Sequence, residues 1–338
     1  MVNNGETLSP DSYTKTVRLQ SRPVTDFIDP GRVYSLFAEG VTIVLQALHR
    51  YWDPLAHFCR ELELELTHPV QVNVYVTPPH ARGLDVHYDT HDVFVLQVSG
   101  AKQWKVYDSA VDLPLAHQRR KGRISDPGAP QIEVDLQPGD CLYIPRGFLH
   151  AAETAARQSV HMTVGMLTYR WMDVVKAAIE GAGDELFMRD ALPPGFAYSP
   201  DEMRNEVKER LMMMSKWVEG LEPEAVARSF SDRFWANRPP LLAGQLQQVL
   251  SLDSLHDDSA VRRRRGAVCR LEVREDELIV ILGDRRLHLP VRLLPVMESV
   301  LEAPEFKLAE LDAFLDAEGR HVLVRRLIRE GLLELASP

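Results

Sequence analysis

A chain of 338 residues, 45% hydrophobic and 26% charged, has the composition of a globular protein and the length of two or three domains. A formal net charge of -10 and a pI near 5.7 exclude a surface that as a whole attracts nucleic acid or anionic membrane. Cys59, Cys141 and Cys269 are odd in number and far apart, which excludes a disulfide framework and a cysteine-based zinc site; with no signal-peptide core and no apolar run of transmembrane length, a soluble cytoplasmic protein is expected.

Residues 1–25 are polar and lack periodicity, so a loose N-terminal arm is expected. Asp29-Pro30-Gly31 reads as a turn, after which Val33, Leu36 and Phe37 recur at helical spacing. Val41 to Leu45 has the composition of a strand. Asp53-Pro54 reads as the N-cap and first position of a helix whose apolar face is Leu55, Phe58, Cys59, Leu62 and Leu66. From Pro69 to Val76 the chain alternates Val70, Val72, Val74 and Val76 against Gln71, Asn73 and Tyr75, the period of a strand with one face in a core. Asn73 and Tyr75 would then line a cavity.

His87 and Asp89 stand two apart, so on an extended strand both point to one face while Tyr88 turns to the other. Val93 to Val98 reads as a buried strand ended by the Ser99-Gly100 turn, and further strands are expected at 102–107, 132–136, 141–144 and 159–167. Pro138-Gly139-Asp140 marks a turn, and Pro145-Arg146-Gly147 a second one that presents His150. This density of short strands up to residue 168 says β-barrel or β-sandwich.

His87, Asp89 and His150 form a set of two imidazoles and one carboxylate, which holds Fe(II) on one face and leaves positions open for a substrate and oxygen. A His-x-Asp pair alone is common in exposed turns; the distant histidine on a β-rich segment is what makes it a metal candidate. His57, His80 and His117 read as surface positions, His91 as the start of a strand, and His161 as a packed core residue more readily than a cavity-facing one. A 2-oxoacid would take two open positions on the iron, and a dicarboxylate such as 2-oxoglutarate would need a cation for its far carboxylate. Lys102, across the hairpin from the strand after the ligand pair, is the candidate; an exposed lysine at a strand end is the alternative, and spacing does not separate the two. Asn73, Tyr75 and Thr163 are polar residues on apolar strands, which suits a lined pocket or, equally, ladder-edge positions.

Beyond Tyr169 the period becomes helical at 171–179, 199–220, 223–235 and 241–252, broken at Pro193-Pro194-Gly195 and Pro239-Pro240. Met212, Met213 and Met214 suit adaptable packing or an oligomer interface. From residue 262 the expectation is strands at 271–273 and 278–281, then helices at 290–301, 308–315 and 319–335, an order compatible with a winged helix. Its 14 Lys plus Arg against 14 Asp plus Glu lack the basic footprint of a DNA reader. Arg262 to Arg265 reads as a solvated linker.

Three stretches together resemble the JmjC-type ribosomal oxygenases: Asn73-Val74-Tyr75-Val76-Thr77-Pro78, His87-Tyr88-Asp89 through to Trp104, and Leu142 to Gly147 with His150. The resemblance covers residues 25 to 168, and the order of the later blocks is similar too. It implies an α+β chain of four parts: an N-terminal arm (1–25), a double-stranded β-helix (cupin/JmjC) catalytic domain (26–168), a helical dimerisation domain (169–261) and a winged-helix-like C-terminal domain (262–338). It further implies Fe(II) held by His87, Asp89 and His150, with 2-oxoglutarate as cosubstrate and O2 as oxidant. Lys102, Asn73 and Thr163 would receive the cosubstrate, and Tyr75 and position 165 the substrate. The implied reaction hydroxylates an arginine or histidine side chain of a basic ribosomal protein, in a homodimer without nucleic-acid or membrane partners. Gly165 departs from the pattern, because a hydroxyl residue is expected there in histidine-hydroxylating members. A peptide-tailoring oxygenase, a demethylase and a non-catalytic JmjC-like regulator with a winged helix remain as alternatives.

Overall fold

The computed structural model describes all residues except 4, 120–123, 125, 199–200, 202 and 337–338. Its chain divides into two compact units, Met1–Thr168 and Tyr169–Pro338. No described helix is long and apolar enough to cross a membrane.

The N-terminal residues are not a loose arm. β1 (Val2–Asn3) pairs with β2 (Glu6–Thr7), and β3 (Thr14–Leu19) with β4 (Arg22–Ile28) in a hairpin whose turn places Gln20 at a φ of 58°. Leu19, Phe27 and Ile28 on this hairpin are exposed, so no buried face imposes the period that would have announced it. Asp29-Pro30-Gly31 starts a helix instead of making a turn: the Asp29 carboxylate accepts from the amides of Gly31 and Arg32 and opens α1 (Pro30–Ala38). β5 (Ile43–Leu45) is shorter than its sequence signal, and α2 (Asp53–Leu66) takes in Asp53 as its first residue, with Trp52 at the cap position. Leu55 and Cys59 of α2 pack on Val70, Val72 and Val74 of β6 (Val70–Thr77), which turns the other face of that strand inward.

The remaining strands of this unit are β7 (Asp92–Gly100), β8 (Lys102–Ser109), β9 (Ile132–Leu136), β10 (Cys141–Ile144), β11 (Phe148–Glu153) and β12 (Ser159–Met166). They pair antiparallel into a five-stranded sheet, order β10-β7-β12-β6-β5, and a three-stranded sheet, order β11-β8-β9. Val93, Val95 and Ile144 of the first share a core with Trp104, Val106 and Leu136 of the second, so the sheets close on one another as a double-stranded β-helix. The β7–β8 turn needs its glycine: Gly100 has a φ of +67°, and a Cβ there would lie 1.8 Å from the Gln158 carbonyl oxygen. Register then aligns the inward residues in rows. Asn73, Thr163 and Val95 stand opposite one another, as do Tyr75, His161 and Gln97.

The second unit opens with helices α3 (Trp171–Glu180), α4 (Leu186–Arg189), α5 (Arg204–Glu219), α6 (Pro223–Ala236) and α7 (Gln245–Leu250). The helix expected from 199 starts at Arg204; residues 199, 200 and 202 of that expectation lie outside the described residues. Strands β13 (Ala260–Arg263), β14 (Arg270–Arg274), β15 (Glu277–Leu282) and β16 (Arg285–Pro290) follow, then α8 (Leu294–Glu302), β17 (Glu305–Lys307), α9 (Ala317–Arg329) and β18 (Leu333–Leu335). β14-β15-β16 and β17-β13-β18 each form an antiparallel sheet.

Three expectations for this unit fail. Arg262 to Arg265 is no solvated linker: its first two residues are in β13, and Arg264 is buried, donating to the carbonyls of Leu241 and Ala243 and to the Gln245 side chain. The last helix does not run to Leu335, because Gly331 turns left-handed at a φ of +78° and Leu333–Leu335 pairs with β13. Leu308–Leu311 makes only a single 3-10 turn of the expected 308–315 helix.

Candidate metal centre and its cavity

His87 and Asp89 lie in an irregular stretch before β7, not on a regular strand as their spacing suggests. One antiparallel bridge holds them: the His87 amide donates to the His150 carbonyl at 3.2 Å and the His150 amide returns the bond at 2.8 Å. That pair of bonds sets the two imidazoles side by side, ring centres 4.3 Å apart. Gly147 completes the frame. Its amide donates to the Asp89 carbonyl at 2.9 Å, and its φ of +90° and a would-be Cβ 2.0 Å from the Val111 carbonyl oxygen leave room for no other residue. Tyr88 does turn away, buried among Val86, Tyr107 and Leu149, its hydroxyl donating to the Gln118 carbonyl.

One side-chain donor atom each from His87, Asp89 and His150 falls within 4.8 Å of the other two. The His87 Nδ1 sits 2.7 Å from the Asp85 carbonyl oxygen and the His150 Nδ1 3.0 Å from that of Phe148. With Nδ1–H donated to the backbone, each ring directs its Nε2 lone pair at the common point, the arrangement usual for metal-bound histidines. Burial, then the neighbouring His87, lowers the His150 pKa to about 4, so the ring is neutral and able to ligate at physiological pH. Two imidazole nitrogens and one carboxylate fit a divalent transition metal and leave one hemisphere open.

The open side faces a cavity of about 400 Å³ that Asn73, Tyr75, Lys102 and Thr163 also line. The exposed-lysine alternative is thereby excluded. Lys102 is only 4% exposed, its Nζ donates to the Thr77 hydroxyl at 3.1 Å, and burial pulls its pKa down to about 7. Asn73 uses its side-chain oxygen to accept from the Ala47 amide at 3.0 Å, which pins the loop after β5 to the cavity wall. His161 is at once a packed residue and a wall of the cavity: it stacks on Tyr75, centres 4.9 Å apart and 5° from parallel, and meets the Trp104 ring edge-on. Burial, then Lys102, holds its pKa well below the usual histidine value.

Gly165 is not among the lining residues; His91, read from sequence as a mere strand start, lines the cavity on that side. Gln71 and Arg119, which also line it, were missed, as was Thr77, which holds the Lys102 Nζ. Gln71 shares the period-2 face of Asn73 and Tyr75 and was legible there. Thr77 lies one residue past the alternating run, and Arg119 sits in a connection that no pattern marks.

Residues 47–174 match the JmjC domain family. Ribosomal oxygenase 2 of Mus musculus is 32% identical over 256 residues, covering 72% of this chain and 52% of that protein. A protein of Culex quinquefasciatus named bifunctional lysine-specific demethylase and histidyl-hydroxylase NO66 is 28% identical over 262 residues, 70% of this chain and 40% of its own length. The chain thus spans about half, or less, of the curated relatives it matches. Among solved structures, E. coli ycfD superposes with a TM-score of 0.53 at 18% identity, covering 97% of this chain and 91% of that one, which shows the same fold. Another structure of YcfD, described as a ribosomal oxygenase in complex with cobalt and succinic acid, superposes at 0.50 with 19% identity, covering 98% of this chain and 91% of that one.

Proposed function

We propose, from the premise that this chain carries a JmjC domain over residues 47–174, that it is an Fe(II)- and 2-oxoglutarate-dependent oxygenase hydroxylating an arginine or histidine side chain of a protein, with a basic ribosomal protein as substrate. The observation that carries this reading is the convergence of a metal-donor trio and a buried lysine on one cavity. Similarity to proteins named ribosomal oxygenases and the cobalt and succinic acid held by a structural neighbour support it.

His87 and His150 would hold the metal through Nε2 and Asp89 through its carboxylate. When bound, iron with 2-oxoglutarate activates O2, and oxidative decarboxylation to succinate delivers one oxygen atom to a C–H bond. Lys102 is the group for the cosubstrate's distal carboxylate: an arriving anion restores the proton that burial makes costly, and Thr77 holds the Nζ in place. Asn73 and Thr163 offer an amide and a hydroxyl to the same cavity, and Tyr75, stacked on His161, is the substrate contact. The walls keep water from the reacting centre and fix the target bond in position.

The finer organisation belongs to the same proposal: a catalytic domain at 26–168 preceded by the strand-paired N-terminal residues, a helical dimerisation domain at 169–261 and a winged-helix-like domain at 262–338. Trp171 at the start of α3, Leu186 at the start of α4 and Tyr198 in the turn region after α4 are 84%, 78% and 91% exposed, and apolar side chains left so bare favour a second copy covering them. The acidic net charge suits a basic protein partner in the cytoplasm and no membrane or nucleic acid.

The test is succinate formation by anaerobically iron-loaded protein supplied with 2-oxoglutarate and oxygen, with and without a pool of ribosomal-protein peptides, beside His87→Ala. Turnover that rises with the pool, vanishes in the variant and adds one oxygen to a peptide is the expected result. Succinate no higher than in the variant, with metal bound, overturns it. Formaldehyde released from a methyl-lysine peptide in the same assay would favour demethylation, the activity printed in the name of the Culex relative.

A further inference from the structure

Gly165 calls for a physical reason. It stands in mid-β12, paired with Gln71 on β6 and Val93 on β7, and its backbone is not in the left-handed region, so any residue could adopt its conformation. Space is what forbids a side chain. A Cβ at 165 would lie 2.6 Å from both Cδ2 and Nε2 of His91 and 3.4 Å from Cγ of Gln71. The imidazole of His91 therefore occupies the place in the cavity-facing row, beside Thr163, that a β12 side chain would fill. His91 follows Asp89 by two residues, and its ring lines the same cavity as the metal trio, together with Gln71 and Val93.

We propose that His91, seated on Gly165, is the specificity-determining residue of the cavity: the ring's depth on the bare glycine backbone sets how large a target side chain is admitted, and its nitrogens with the Gln71 carboxamide set the hydrogen bonds that side chain must match. This rests on the oxygenase reading above. The two positions act as one unit, because any side chain at 165 pushes the ring into the space the target needs.

The test is a double-mutant cycle of Gly165→Ala, His91→Gly and the pair. Two readouts are taken: thermal unfolding, and the KM and kcat for a peptide that the iron-loaded wild type hydroxylates. Gly165→Ala is expected to lower the melting temperature by about 4 °C and to raise the peptide KM about tenfold with kcat within about threefold. Adding His91→Gly to that variant is expected to remove most of both effects. His91→Gly alone, which carries the test should Gly165→Ala not fold, is expected to change which peptides of the ribosomal pool are hydroxylated. Additive effects in the cycle, or an unchanged product list and KM for His91→Gly, overturn the proposal while wild-type turnover leaves the oxygenase reading standing. A metal-loaded wild type that makes no succinate overturns the oxygenase reading, and this proposal with it.

Discussion

The interiors of the two units differ in kind. The main core of residues 169–338, built from residues 252–335, is apolar throughout, with Leu278, Leu282, Met297, Leu327, Ile328 and Leu333 all fully buried. The barrel of residues 1–168 buries Thr77, Gln97, Lys102, His150, Ser159 and His161. The second unit also buries polar groups, but these lie outside that core and are spent on the chain itself: Arg264 caps backbone carbonyls, and the Gln248 side chain accepts from the Leu335 amide. Lys102 and His161 instead look onto a cavity. Burying a cation costs free energy unless something pairs with it, so a lysine retained beside a cavity is a candidate ligand group, whereas a dry core serves packing.

The sharpest way to break this contrast is at the metal trio. Asp89→Ala is expected to reduce iron binding and succinate formation by about 10³-fold, measured by titration calorimetry and turnover, while circular dichroism shows the fold retained. Retained iron affinity would remove the functional side of the comparison. In the dry core the effect should fall on stability: Leu327→Ala is expected to cost about 2–5 kcal/mol in urea unfolding, with iron affinity per folded molecule at the wild-type level.

Lys102→Met should act in opposite directions on fold and ligand. Removing the buried amine raises the melting temperature of the metal-free protein, while 2-oxoglutarate affinity falls by about 30-fold, or about 2 kcal/mol, as the distal carboxylate loses its partner. A fall in both would make the lysine structural. The smallest effect is with pH. Folding lowers the Lys102 pKa from 10.5 to about 7, so between those values the unfolded chain binds the extra proton and the apo barrel gains stability as pH rises. On the proposed role of Lys102, cosubstrate binding should take up a proton and weaken about fivefold from pH 7 to 8, read by calorimetry in buffers of different ionisation enthalpy.

Much of the barrel was legible because a half-buried strand leaves a period in the sequence: Val70, Val72 and Val74 against Gln71, Asn73 and Tyr75 announced both the core face and the cavity face of β6. The β3–β4 hairpin left no such trace, since Thr14 is its one buried residue. The strands β13, β17 and β18 are three or four residues long and paired across 40 or more positions, so only long-range pairing makes them strands. Tertiary hydrogen bonds likewise make Arg264 a buried brace within a run that looks solvent-facing.

By itself the sequence determined the donor types at positions 87, 89 and 150, the strand alternation that turns Asn73 and Tyr75 inward, and the glycines without which the turns at 100 and 147 cannot close. These are local matters of side-chain chemistry, two-residue period and backbone sterics. Only the tertiary structure decided that His87 and His150 share a bridge, that Lys102 is interior and not at an exposed strand end, and that His91 fills the space Gly165 leaves. Each of those depends on which residues a closed barrel brings within a few ångströms of one another, and distance through space across 60 or 70 residues of chain is not written in any local pattern.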